Sequence, residues 1–176
     1  MESLDPGKLV FVGAGKEGRV YLLDGKGCIK YYNHSKYQHR EWAALKRGQN
    51  DDLFPRLYGW GDGYIVREYI KGVSLSKYLA DNPMTEELAK KLLRMHETLI
   101  RLGYRRADLR LTHIIINPDG QLRVIDPTNM MKTDRVFPRK LLHGLEKLGQ
   151  LAGFLAFVRR LRPEIYREWE RMLGKT

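Results

Sequence analysis

The alternation of apolar and polar positions divides the chain into a strand-rich first third and a largely helical remainder. Between the first strands and the last ones, residues 33–47 carry apolar side chains such as Trp42 and Leu45 at helical spacing. The pattern therefore predicts an α+β fold that begins with a sheet and one helix. Short apolar runs bounded by glycine-containing turns predict the strands at residues 8–12, 20–23, 28–32, 55–60 and 64–68.

The remainder of the chain shows helical periodicity with recognisable start and stop residues. Ser74 and Thr85 stand where N-caps are expected, because their hydroxyls can accept from the free N–H groups of a first helical turn. The helix after Thr85 repeats leucine and methionine at core spacing and should end at Gly103. Residues 138–161 predict one amphipathic helix, and Pro163 should open a last one.

A predicted hairpin in the helical part carries the residues with chemistry to offer. The sequence Asn-Pro-Asp-Gly at residues 117–120 lies between two short apolar runs and is a strong turn signal. Asp108 and His113 precede the first run and Asp126 follows the second, so a tight hairpin would gather them at one end. Clustered carboxylates repel unless a cation lies between them, and hard oxygen ligands favour Mg2+. The hairpin therefore indicates metal-assisted phosphoryl transfer.

Three interpretations compete for the glycines near the start of the chain. A dinucleotide fingerprint needs a helix after the last glycine, whereas residues 20–23 predict a strand. A phosphate loop of the G-x-x-x-x-G-K-[ST] type needs lysine and a hydroxyl after Gly18, where the chain has Arg19 and Val20. Neither of these two interpretations fits the residues.

The third interpretation is the glycine-rich hairpin of protein kinases, G-x-G-x-x-G-x-V. Gly13, Gly15, Gly18 and Val20 match it at every fixed position. Its glycines allow backbone N–H groups to approach phosphates without a Cβ in the way. The motif also requires a lysine on the next strand, and Lys30 stands there.

With these motifs in this order, residues 8–128 resemble the protein-kinase-like superfamily. The shortened form is similar to small atypical kinases of the RIO type, of bacterial and archaeal kind, and to antibiotic phosphotransferases. The resemblance implies one kinase-like domain over residues 1–176 with a two-lobed fold. An antiparallel sheet N-lobe would span about 1–68, the hinge about 68–73, and a reduced helical C-lobe about 74–176.

The resemblance also implies an activity, an ATP-dependent phosphotransferase of serine/threonine-kinase type that transfers the γ-phosphate to a hydroxyl on a protein or small molecule. Asp108 matches the catalytic aspartate, with Arg110 two residues later, and Asp126 matches the metal-binding aspartate. Glu41 would fix Lys30, which itself takes part in catalysis. The residues that the resemblance assigns to ATP are Gly13, Gly15, Gly18, Val20, Cys28, Lys30, Glu41, Glu68 and Ile70.

Two of the departures from the kinase pattern bear directly on the metal and the nucleotide. His113 stands in the place of the metal-binding asparagine, as a second metal ligand or a mere neighbour, and imidazole suits Mn2+ better than Mg2+. Arg67 precedes the hinge, where a mid-sized apolar residue normally lines the adenine pocket, so it should fold away to solvent or crowd the nucleotide. The alternative is therefore a catalytically impaired pseudokinase that acts as a nucleotide- or protein-binding module.

Composition adds few constraints. The 176 residues carry a formal net charge of +11, which fits either an anionic partner or solvated helix faces. Nucleic acid is the weakest partner, because no run of Lys and Arg is interleaved with aromatic residues. The single cysteine, Cys28, fits a reducing compartment. The first residues lack a signal-peptide pattern, and residues 148–158 are too short to span a bilayer, so we expect a soluble cytoplasmic protein without membrane association.

Overall fold

An antiparallel sheet forms the first part of the chain, as the apolar runs predict. The computed structural model describes residues 9–23, 27–104, 109–131 and 137–174. Within these residues the sheet has five strands in the order β1-β2-β3-β5-β4, and each neighbouring pair is antiparallel. The strands are β1 (Val10–Ala14), β2 (Gly18–Leu22), β3 (Gly27–Tyr32), β4 (Leu57–Gly61) and β5 (Tyr64–Glu68).

One helix, α1 (Ser35–Arg47), packs against the sheet where it contacts β3 and β5. Its buried side chains are Gln38, Glu41, Ala44 and Leu45, which recur every three or four residues along one face. The face is partly polar, because the Gln38 amide donates at 2.5 and 2.9 Å to two backbone carbonyl oxygens of the β4–β5 hairpin. These bonds hold α1 on the sheet and leave Glu41 facing β3.

The helical part begins as the sequence predicts. The Ser74 hydroxyl accepts from the N–H of Lys77 at 3.4 Å, and the Thr85 hydroxyl accepts from the N–H of Leu88 at 3.2 Å, so both predicted N-caps are confirmed. The elements are β6 (Val73–Ser74), α2 (Leu75–Asp81), α3 (Glu86–Arg101), β7 (Ile114–Ile116), β8 (Leu122–Val124), α4 (Arg139–Lys147), α5 (Leu151–Leu161) and α6 (Pro163–Leu173).

The predicted hairpin at residues 117–120 is confirmed. Strands β7 and β8 pair in antiparallel fashion, and β6 joins β7 to make a small sheet in the order β6-β7-β8. Asn117 closes the turn, because its N–H donates to the carbonyl of Gln121 at 3.0 Å. Gly120 takes a φ of +72°, a left-handed conformation that glycine adopts without strain.

The prediction of one helix over residues 138–161 is wrong. Helix α4 ends at Lys147 and α5 begins at Leu151, and Gly149 between them has a φ of +67°. Gln150 then bonds outward, with its side-chain oxygen accepting from the N–H of Met84 at 2.8 Å. The apolar period continued across this break because both helices bury their leucines in the same core.

The core of the helical part is a cluster of leucines from α2, α3 and α4 with aromatic residues of the last two helices. Trp169 is 2% exposed and packs edge-on against His96, with ring centroids 5.2 Å apart. Contacts such as Arg123 to Glu68 at 2.8 Å join the small sheet to the end of β5. The predicted α+β fold with an antiparallel sheet and a helical part is therefore confirmed. In the described part of the chain, none of the helices is long and apolar enough to cross a membrane.

Candidate active site

Three charged side chains from distant parts of the chain converge where the sheet meets the helical part. Lys30 lies on β3 and Glu41 on α1, and Asp126 follows the end of β8 after one intervening residue, Ile125. The Lys30 ammonium donates to Glu41 Oε2 at 2.5 Å and to Asp126 Oδ1 at 3.1 Å. The side chain of Glu41 is fully buried and that of Lys30 is 7% exposed, so water screens this pair weakly. One ammonium therefore pairs with two carboxylates, which leaves the three groups together with one net negative charge.

The backbone holds Asp126 in an uncommon conformation. Its φ is +56°, in the left-handed region that non-glycine residues seldom occupy. The N–H of the preceding Ile125 donates to the carbonyl of His113 at 2.9 Å, so both ends of the hairpin are tied together at this point. Backbone strain of this kind clusters at functional sites, which is consistent with a carboxylate held in position for a ligand.

The glycine-rich loop reaches the same carboxylate through a hydroxyl. The Thr128 hydroxyl lies 2.7 Å from Asp126 Oδ1 and 2.8 Å from Glu17 Oε2, and Thr128 is 1% exposed. A hydroxyl has one hydrogen and can donate to one of these oxygens at a time. Burial raises the pKa of the Glu17 carboxyl, while the hydrogen bond from the Thr128 hydroxyl acts in the opposite direction. Glu17 therefore closes the loop over Asp126.

The electrostatics of the cluster favour its charged form. Burial alone would raise the pKa of Asp126, but the Lys30 ammonium and the Thr128 hydroxyl outweigh it and hold that pKa well below its usual range. Burial likewise would lower the pKa of Lys30, and the nearby carboxylates of Glu41 and Asp126 reverse the direction. Asp126 therefore stays ionised at neutral pH and is available to a cation.

Two further predicted site residues lie on the helical side. His113 Nε2 is 3.9 Å from Asp126 Oδ2, and burial lowers the pKa of His113 although the Asp126 carboxylate partly offsets the effect. A neutral imidazole beside a carboxylate can act as a metal ligand. Arg110 is exposed and lines a cavity that His113 and Asp126 also line. Asp108 lies outside the described residues.

A cavity of about 880 Å³ opens beneath the glycine-rich loop. Gly13, Gly15, Gly18 and Val20 line its roof, and His113 and Asp126 line the opposite side. Its acidic lining side chains are Glu17 and Asp126, and positive side chains outnumber them, which suits a polyphosphate. The positive residues that line the cavity are Lys16, Lys30, Lys36, Arg40, Arg67, Arg110 and Lys140.

The end of the cavity toward β5 differs from the expected adenine pocket. Among the described residues, Cys28, Glu68 and Ile70 do not line the cavity, and Cys28 and Ile70 are 0% and 8% exposed. Arg67 lines the cavity here and is itself 5% exposed, so of the two alternatives the side chain does not fold away to solvent, and the alternative in which it crowds the nucleotide stays a prediction. The side chain instead turns inward, because the buried Glu41 carboxylate lies 3.7 Å from its Nε.

Sequence reasoning missed several residues of this site. Glu17 and Thr128 occupy positions that the kinase motifs leave variable, so no fixed residue type marked them. The available signal was proximity in the sequence, because Thr128 follows Asp126 by two residues and Glu17 lies between Gly15 and Gly18.

The group of Glu17, Glu41 and Asp126 offers oxygens that lie within 4.8 Å of one another, a spacing that a metal ion could bridge. These oxygens are hard ligands of the kind that Mg2+ and Mn2+ accept, so the residues fit a divalent cation.

Comparison with known proteins gives one curated relative. No protein-family model matches the chain. The chain is 24% identical over 133 residues to a protein of Bacillus subtilis (strain 168) named "Putative serine/threonine-protein kinase YrzF". The match covers 72% of this chain and 61% of that protein, so the chain spans about three fifths of the length of this relative.

Solved structures with a similar fold include a kinase domain and a protein crystallised with a kinase inhibitor. The PknI kinase domain of Mycobacterium tuberculosis matches with a TM-score of 0.53 at 16% identity, over 68% of this chain and 58% of that chain. WbdD, crystallised with the kinase inhibitor LY294002, matches with a TM-score of 0.55 at 18% identity, over 94% of this chain and 41% of that chain. At such identities the likeness concerns the fold.

Proposed function

We propose that this chain, a member of the protein-kinase-like superfamily by its fold, transfers the γ-phosphoryl group of ATP to a hydroxyl acceptor. The observation that carries the proposal is the convergence of Lys30, Glu41 and Asp126 below a glycine-rich loop. A buried cation next to an ionised carboxylate, in a cavity with an excess of positive charge, is suited to a metal-bound polyphosphate. In this proposal residues 1–176 form one kinase-like domain with its hinge at about 68–73.

Each residue of the cluster has a separate task. Lys30, held by Glu41, binds the α- and β-phosphates, and backbone N–H groups of the glycine-rich loop cover them. Asp126 and Glu17 would offer oxygens for Mg2+ or Mn2+, and His113 would offer a ring nitrogen. When bound, the divalent cation supplies positive charge to the phosphate oxygens.

The acceptor side of the reaction relies on Asp108 and Arg110. By resemblance, Asp108 orients the acceptor hydroxyl and takes its proton as the oxygen bonds to the γ-phosphorus and the bond to ADP breaks. Arg110, which lines the cavity, offsets the negative charge that the transferred group carries. The acceptor is a protein or a small molecule with a free hydroxyl.

Transfer of label from γ-labelled ATP, with Mg2+ and with Mn2+, tests the proposal. We expect Asp108→Asn to reduce turnover at least about 100-fold, the size of a lost acid–base contribution. Asp119→Asn is the matched control, because Asp119 lies in the turn between β7 and β8, is exposed and does not line the cavity. Equal label transfer by both variants, or none by the unmodified chain with either metal, would overturn the proposal.

A second function, a nucleotide- or protein-binding module without turnover, is favoured by one set of observations. His113 stands where an asparagine would hold the metal, and Glu17 and Arg67 occupy parts of the cavity that a nucleotide would use. Under this alternative, ATP with Mg2+ raises the melting temperature while no label is transferred. The two functions therefore separate in a single pair of measurements.

A further inference from the structure

Arg67 lies in an unusual place for an arginine. It is the fourth residue of β5, pairs in register with Cys28 of β3, and is 5% exposed at the end of the cavity. Buried arginines are normally matched by several acceptors, because a guanidinium carries five N–H donors and a full charge. Its surroundings therefore indicate what the end of the cavity can bind.

The guanidinium of Arg67 has donors to spare. Its Nη1 donates to the backbone carbonyl of Glu68 at 3.3 Å, and within the described residues this is the one hydrogen bond that the guanidinium makes. Its Nε lies 3.7 Å from Glu41 Oε1, beyond hydrogen-bond distance, and both atoms are buried without a partner among the described residues. The Glu68 carbonyl also has the Cys28 thiol at 3.7 Å. The Glu68 carbonyl, which is the acceptor at this end of β5, therefore already has two donors close to it.

Arg67 consequently changes the hydrogen-bonding character of this end of the cavity from acceptor to donor. Arg67 lines the cavity whereas Glu68 does not, so a base bound at this end would contact the guanidinium and not the Glu68 carbonyl. Adenine presents an amino group, a donor, at purine position 6, whereas guanine and hypoxanthine present a carbonyl oxygen there. Adenine still offers N7 as an acceptor, but its 6-amino group would face guanidinium donors and stay unpaired, whereas a 6-oxopurine accepts at both positions.

We propose that Arg67 is a specificity-determining residue that selects a nucleotide with a 6-oxopurine base over one with adenine. This inference rests on the proposed function, because it takes the cavity to be the nucleotide site, and it changes the preferred phosphoryl donor from ATP to a 6-oxopurine nucleoside triphosphate. The Glu41 carboxylate explains why the side chain turns inward, but at 3.7 Å it gives the Arg67 Nε no hydrogen bond. Lys30 already pairs with Glu41 at 2.5 Å, and the guanidinium makes its hydrogen bond to the backbone of Glu68 instead.

ATP and ITP are the probes that isolate this contact, because they differ only at purine position 6 and its adjoining ring nitrogen. We expect ITP with Mg2+ or Mn2+ to bind at least about tenfold more tightly than ATP in titration calorimetry, since sites built around a hydrogen bond reject the mismatched analogue strongly. GTP should follow ITP. ATP binding as tightly as ITP, or more tightly, would overturn the inference while the proposed function stands.

Variants of Arg67 separate base selection from a structural role. Arg67→Met should bring the ITP-to-ATP affinity ratio close to one, and Arg67→Lys should retain part of it, because one donor remains. A structural role would weaken both nucleotides equally and leave the ratio unchanged in either variant, which would refute the inference. If Arg67→Met does not fold, the ratio in the unmodified chain and in Arg67→Lys decides. Absence of binding by both nucleotides would overturn the proposed function together with the inference.

Discussion

Replacement of Lys30 by methionine tests whether the buried charge cluster has the electrostatics described above. The change keeps a side chain of similar length and removes the cation that lies 2.5 Å from Glu41 and 3.1 Å from Asp126. Glu41 is fully buried, so its carboxylate cannot exchange the lost partner for water. We therefore expect both a loss of stability and a loss of nucleotide binding.

The magnitude follows from the burial of Glu41. Removal of one partner from a buried ion pair typically costs about 3–5 kcal/mol, because the other charge remains in place. Arg67 stays 3.7 Å from Glu41 and retains some compensation, so we place Lys30→Met at the lower end, about 3 kcal/mol. For a chain of this length, that corresponds to a decrease in melting temperature of roughly 6–12 °C.

The assay pairs the single variant with a charge-neutral double variant. Chemical denaturation at pH 7, followed by tryptophan fluorescence, gives the free energy of unfolding of Lys30→Met and of Lys30→Met/Glu41→Gln. The second change removes the orphaned carboxylate, so it should recover at least half of the lost stability. Nucleotide binding should remain lost in both variants, because neither restores a cation for the phosphates.

Two results would refute this reasoning. If Lys30→Met unfolds within about 0.5 kcal/mol of the unmodified chain, the size of an ordinary surface substitution, the cluster does not hold a buried charge pair. If the double variant is no more stable than the single one, the loss comes from packing and not from the unpaired Glu41 carboxylate.

Three further predictions use other parts of the structure. His113→Asn should raise turnover with Mg2+ at least about tenfold relative to turnover with Mn2+, measured as steady-state phosphate transfer, because an oxygen ligand replaces imidazole. Gly18→Ala should lower the free energy of unfolding by about 2 kcal/mol or more, since its Cβ would lie 1.9 Å from the Tyr31 carbonyl oxygen. The Cβ of Gly15→Ala would have no atom within 4 Å, so this variant should keep its stability and lose only nucleotide affinity, measured by calorimetry. Burial lowers the pKa of His96 from 6.5 to about 4, so the unfolded chain takes up a proton that the folded chain refuses. Stability should therefore decrease by up to about 3 kcal/mol as the pH falls from 6.5 to 4, and thermal unfolding of His96→Leu should lack this dependence.

The local elements could be predicted because their signals lie within a few residues. The turn at residues 117–120 and the hydroxyl caps at Ser74 and Thr85 are confirmed, since turn and cap chemistry involves backbone groups close by in the sequence. The break at Gly149 was missed because the prediction of this helix relied on the spacing of apolar residues. Apolar spacing does not report a change of helix direction when both helices face one core.

The candidate site was predicted through motif positions, and what lies between those positions was not. Resemblance to the kinase pattern pointed to Lys30, Glu41 and Asp126, which the structure brings together, while their roles stay predictions. Glu17 and Thr128 stand at variable motif positions, and their contact spans 111 residues of sequence. No short-range pattern carries such a contact.

By itself, then, the sequence determined most of the order of strands and helices, apart from β6 and the break between α4 and α5, together with the turn, the caps and the candidate phosphate-binding glycines. Tertiary structure alone decided which charges neutralise one another and which side chains are removed from water. Arg67 illustrates the difference, because its direction depends on a carboxylate supplied by α1 and not on its neighbours in β5. Backbone conformation depends on residues nearby in the chain, whereas desolvation and Coulomb energies depend on distances that exist after folding.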